Sequence, residues 1–97
     1  MLNQALVELL GTFVFLAVII VTGNPIAIGI ALAAVIFFGG AVSGGHFNPA
    51  VTVMQAVDGK INVNTAAVYI VCQVLGALAA FWYYRNVVNS SQYTQLM

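Results

Sequence analysis

Charge is what the chain has least of. Its 97 residues carry two basic and two acidic side chains and one histidine, for a formal net charge of zero. Charged residues are 4% of the whole, against about 25% in an ordinary soluble domain. A soluble fold of this length leaves much of its surface in water and needs charge to stay there. Nucleic-acid binding needs a basic face, which two cations cannot build. Disorder needs low hydrophobicity, whereas 63% of these residues are hydrophobic and the mean hydropathy is +1.07. Cysteine is nearly absent too. Cys72 is the one present, which excludes an intrachain disulfide, and it reads as a small hydrophobe within an apolar run. No positive segment precedes the first apolar run and no A-x-A pattern follows it, so no signal peptide is expected. What remains is an all-α, multi-pass integral membrane protein, read as one membrane domain over residues 1–97.

From Leu9 to Val57 no residue bears a formal charge, and the run is broken by Gly23-Asn24-Pro25 and by Ser43-Gly44-Gly45-His46. Two pieces, about 4–22 and 25–43, are each long enough to cross ~30 Å of hydrocarbon at about 1.5 Å per residue. Pro25 suits the opening of the second. A third span is expected over about 65–84, started by Asn62 or Asn64 as cap and ended by Trp82, Tyr83, Tyr84 and Arg85 as an interfacial belt. A polar tail, 86–97, follows.

The remaining apolar piece, Pro49 to Val57, makes a helix of only roughly 13 Å, near half the hydrocarbon thickness. Asn48 is a favoured cap, Pro49 a favoured first residue and Gly59 a candidate stop. With its Gly-Gly entry, the stretch 44–57 reads as a re-entrant loop and half-helix. Such backbone is tolerated at membrane depth only when buried in protein or lining a watery cavity. Small residues share faces with Glu8, Gly11, Thr12 and Phe15 in the first span and with Gln73, Gly76, Ala77 and Ala80 in the third. A stripe of Gly29, Ala33, Gly40 and Gly44 is expected to do the same in the second, allowing close helix approach.

The segment Ser43-Gly44-Gly45-His46-Phe47-Asn48-Pro49-Ala50-Val51-Thr52 is the most informative. Glycines allow consecutive carbonyls to turn toward a lumen. Asn48 adds an amide donor at a helix N-terminus, where the macrodipole amounts to about +0.5 charge. Acceptors followed by a donor suit neutral hydrogen-bonding solutes, and the positive end disfavours cations.

This segment resembles the first-repeat signature of the aquaporin and glycerol-facilitator family, whose pores pass water and small neutral solutes. Glu8-Leu9-Leu10-Gly11-Thr12-Phe13 is similar to the family's first-span motif, and Tyr69 through Gln73 to Gly76-Ala77 to its third-span motif. The resemblance implies that Asn48, with Pro49 and Ala50, meets the permeating molecule. It implies that the carbonyls of Gly44, Gly45 and His46 form the track to it, that Glu8 clamps the loop and that Gln73 braces it. His46 is placed in the vestibule or in the loop's framework. Family members have six spans and two half-helices in inverted repeats; three spans and one half-helix are found here. Two copies inserted antiparallel would bring both half-helix N-termini to the centre, the inverted-repeat arrangement executed by two chains. Lys60 and Arg85 fall on opposite sides of the expected topology, so the positive-inside rule sets almost no orientation.

The family's filter arginine follows the second-repeat Asn-Pro-Ala; here Val51 stands in that place, and Ile28 falls where relatives carry a filter aromatic. Mouths built from Ile28, Gly45 and Val51 imply weaker discrimination against glycerol-like solutes. The reading is therefore a passive channel in the lipid bilayer for water or small neutral solutes, formed by an inverted homodimer, with association of such units into tetramers left open. Pairing with a separately encoded complementary half is one alternative. A dual-topology, proton-coupled transporter using Glu8 is another, and a non-conducting subunit a third. No nucleophile–base pair, metal cluster or phosphate loop is read, so no enzyme, cofactor or metal is expected.

Overall fold

The computed structural model describes residues 1–89. Four helices follow in order: α1, Leu2–Thr22; α2, Pro25–Ser43; α3, Pro49–Val57; and α4, Val63–Tyr83, which runs on into a π-helical turn over Tyr84–Val88. Their limits follow local chemistry. Gly23 at φ 56° ends α1 in the left-handed region that suits glycine. Asn24 then opens α2, its Oδ1 accepting from the Ile26 N–H at 2.9 Å and the Ala27 N–H at 3.0 Å. Gly44, at φ 91°, ends α2. Asn48 caps α3 and Gly59, at φ 78°, follows its end. Asn62, the nearer of the two expected caps, accepts from the Thr65 N–H at 2.8 Å to start α4.

Three helices are long and apolar enough to cross a membrane, at 2–22, 25–43 and 63–88. The first and third begin two residues before the expected limits. The third also outruns its expected end, because the chain past Tyr84 stays helical instead of entering a polar tail at residue 86. The rest of that expected tail, 90–97, lies outside the described residues.

Helix α1 stands between α2 and α4, packed on both, while α2 and α4 do not approach each other closely. The result is a trough with α1 as its back wall. α3 lies against α4. Gly76 shows how close α1 and α4 come: a Cβ there would lie 2.8 Å from the Leu9 carbonyl oxygen and 3.1 Å from the Phe13 nitrogen. In α2 the expected stripe is corrected. A Cβ on Gly29 would meet nothing within 4 Å and Ala33 is exposed, whereas Gly39 is buried, its absent Cβ making room for Val7 and Phe47. Gly39 belongs to a different face, the one turned to α1.

Candidate functional site

Glu8, nearly two turns into α1, has no solvent exposure. Its carboxylate collects four donors from outside its own helix. Oε2 accepts from Ser43 Oγ at 2.7 Å and from the His46 N–H at 3.1 Å; Oε1 accepts from the Phe47 N–H at 2.8 Å and from Gln73 Nε2 at 2.9 Å. A carboxylate has about four lone-pair sites, so its capacity is filled. Ser43 is shared further: its Oγ accepts from the Gly45 N–H at 3.1 Å, and its carbonyl accepts from the Tyr69 hydroxyl at 2.6 Å. The end of α2, the loop and α4 are thus tied to one side chain of α1.

Gln73 carries the network into α3. Its Nε2 donates to Thr52 Oγ1 at 2.8 Å as well as to Glu8, which uses both amide protons. This orientation leaves Oε1 buried and without a partner, as is Thr12 Oγ1. The flipped amide would set Oε1 against the carboxylate, a worse arrangement. Thr52 Oγ1 also lies 2.8 Å from His46 Nδ1. Because Thr52 already accepts from Gln73, its hydroxyl proton is best given to Nδ1, which puts the imidazole proton on Nε2. His46 is 7% exposed and packs edge-on against the Tyr69 ring at 5.0 Å. Its side chain belongs to the loop's framework.

The loop backbone is unusual at three residues. Gly44 and Gly45 have φ of 91° and 67°, and Phe47 has φ 51°. Left-handed backbone is free for glycine but costs a residue with a Cβ about 1–2 kcal/mol. Phe47 is 2% exposed, and its ring lies where Gly11 and Gly39 have no side chain. Among the described residues, the carbonyls of Gly44, Gly45 and His46 accept no hydrogen bond, so their acceptor capacity is unspent.

Asn48 is exposed at the N-terminus of α3, where its Oδ1 accepts from the Ala50 N–H at 2.8 Å. The cap thus fixes the amide by its oxygen, and among the described residues Nδ2 makes no hydrogen bond. Pro49 and Ala50 are exposed beside it, and Val51 is half-buried. Ile28 is not brought to this group within one chain. It stands, half-buried, in the first turn of α2, about 24 Å of helix from Gly44 at about 1.5 Å per residue.

Thr52, Ser43, Tyr69 and Phe47 join the site without having been assigned roles from sequence. Two of them carried a signal: Thr52 lies one turn beyond Asn48, and Tyr69 one turn before Gln73, each on the same face as its neighbour.

Comparison with known proteins shows which family the chain resembles. The family model described as major intrinsic protein matches residues 1–97. The chain is 43% identical to the glycerol uptake facilitator protein-like 6 of Lactiplantibacillus plantarum, over 81% of this chain and 41% of that protein. It is 36% identical to aquaporin Z of Rhodopseudomonas palustris, over 80% of this chain and 39% of the relative. With the aquaglyceroporin AqpS of Rhizobium meliloti it shares 41% identity over 58% of this chain and 24% of the relative. The chain therefore spans about two fifths of the length of the first two relatives. No solved structure matches it.

Proposed function

Since the chain belongs to the major intrinsic protein family, we propose that residues 1–97 build one half of a passive transmembrane channel for water and small neutral solutes, completed by a second, antiparallel copy. The observation that carries this reading is Asn48. Its amide nitrogen is free at the N-terminus of a half-length helix, and the loop before it is suspended from Glu8. On this reading α3 is re-entrant. It enters from one face, ends near mid-membrane and presents a donor beside about +0.5 of dipole charge. The unpaired carbonyls of residues 44–46 supply the acceptors. A solute that both donates and accepts replaces its water shell here, whereas a cation meets the wrong end of the dipole.

On this reading α3, packed on α4, occupies one end of the trough between α2 and α4. A two-fold axis in the membrane plane puts the partner's half-helix at the other end and brings Ile28 of one chain near Gly45 and Val51 of the other. Those mouths are apolar and lack a guanidinium, which favours passage of glycerol as well as water. The saturated, fully buried carboxylate of Glu8 argues against the proton-carrier alternative, since a carrier needs access to water and a vacant lone pair.

Stopped-flow light scattering on vesicles containing this chain alone tests the proposal. Water and glycerol permeabilities at least fivefold above protein-free vesicles are expected, with both termini accessible from both sides. Lipid-only permeability would refute the homodimer. Flux restored by a co-expressed complementary half would establish the heteromer instead, and saturable flux driven by a proton gradient would establish a transporter.

A further inference from the structure

We infer that Phe47 is a positioning residue: its ring, wedged between Gly11 and Gly39, sets where the loop presents the Asn48 amide. The inference rests on the channel reading and adds to it the part that fixes the donor in space. Three observations meet at this ring. First, the loop has glycine at its other two left-handed positions, 44 and 45, yet places a phenylalanine at the third. If only the backbone turn mattered, glycine or asparagine would serve at 47 without strain. A large apolar side chain is therefore what the position requires.

Second, two separate helices are cut away to receive it. A Cβ on Gly11 would overlap Phe47 Cε1 and lie 2.6 Å from Cδ1 and 2.8 Å from Cζ; a Cβ on Gly39 would lie 2.6 Å from Val7 Cγ1 and 3.3 Å from Phe47 Cζ, so Gly11 makes most of the room and Gly39 the rest. The ring thus registers the loop against both α1 and α2. Third, the Phe47 N–H donates to Glu8, and the next residue is Asn48. Ring and backbone N–H hold one residue at two points, leaving little freedom to the amide that follows. On its outer side the ring floors an apolar cleft of about 240 Å³, walled by Leu10 and Phe38. Removing the side chain altogether would extend that cleft inward, and the loop would lose its register.

The test compares Phe47→Leu, Phe47→Gly, Gly11→Ala and the double variant Gly11→Ala/Phe47→Leu in lipid vesicles. Two readouts are taken: amide hydrogen exchange at residues 46 and 47, and the glycerol-to-water permeability ratio per inserted chain. Phe47→Gly relieves the backbone strain while removing the ring. Exchange at 46 and 47 is expected to rise at least tenfold, and the permeability ratio to change at least twofold. Phe47→Leu should stay within twofold of the native chain on both counts. Gly11→Ala should impair both, and the double variant should recover at least half of each loss. An unchanged exchange rate and ratio in folded Phe47→Gly overturns the inference. So does a double variant no better than Gly11→Ala, which decides the matter if Phe47→Gly does not fold. If the native chain conducts nothing, the channel reading fails separately, and exchange alone decides whether Phe47 sets the loop.

Discussion

A buried carboxylate with four donors and no cation beside it is held by geometry, and geometry is what substitution disturbs. Glu8→Gln keeps the size of the side chain but turns one acceptor into a donor facing a group that itself donates. A loss of about 2–4 kcal/mol is expected, since hydrogen bonds to charged groups and unsatisfied buried donors each contribute at that level. Thermal unfolding in detergent measures it; a loss below about 1 kcal/mol would mean the loop is held by something else. Asn48→Asp separates two duties of one side chain. The carboxylate still caps α3, so the fold should survive, but the amide donor is gone. Neutral-solute flux is expected to fall at least tenfold at equal insertion, and flux near native would remove Asn48 from the pathway. Glu8, Gln73 and Asn48 were marked out by the motifs they stand in, Glu8 bonded to the loop and to Gln73 and Asn48 as a proposed pore residue. Phe47 was not, because no spacing rule places a bulky residue at positive φ, and its slot exists only once α1 and α2 have met.

Helix limits could be read closely because the punctuation is chemical: Gly23, Asn24, Pro25, Asn48, Pro49 and Asn62 each act within one turn of where they stand. Packing faces were harder. In a helix with glycine or alanine on every side, composition alone does not say which face meets a neighbour, and α2 turned a different face from the one its spacing suggested. The contrast makes a test. Gly76→Ala sets a methyl against the backbone of α1, which cannot yield as a side chain can. It should cost about 1–3 kcal/mol and reduce the yield of folded protein. Gly29→Ala meets nothing within 4 Å and should be neutral or slightly stabilising. Equal melting temperatures for the two variants would contradict the close α1–α4 approach. The nine residues of α3 are too few to hold a helix in isolation. Its existence depends on the Asn48 cap, the turn at Gly59 and the bond from Gln73 to Thr52.

For the molecule as a whole, two cations stand at opposite ends of α4, and the proposed antiparallel pair depends on them. Lys60 precedes the helix and Arg85 lies beyond Tyr83, so neither orientation is favoured by charge. Lys60→Gln leaves Arg85 unopposed. Terminal reporter fusions should then shift from a mixed to a largely single orientation, and flux should drop because inverted partners become scarce. Unchanged flux from a singly oriented population would contradict the antiparallel pair. A cysteine at the exposed Ala50 (Ala50→Cys in a Cys72→Ser background) should cross-link to its counterpart on oxidation, giving a dimer on non-reducing gels. The bonding of Glu8 also bears on how the bilayer receives the chain. Every donor to that carboxylate comes later in the sequence than α1 itself, from Ser43 out to Gln73, 65 positions away. Helix α1 thus leaves the ribosome carrying an acidic group that nothing yet accommodates, and it is expected to remain reversibly held at the insertion machinery until α4 arrives. Biogenesis then has a built-in checkpoint: a chain truncated before residue 73 should be recognised as unfinished and degraded.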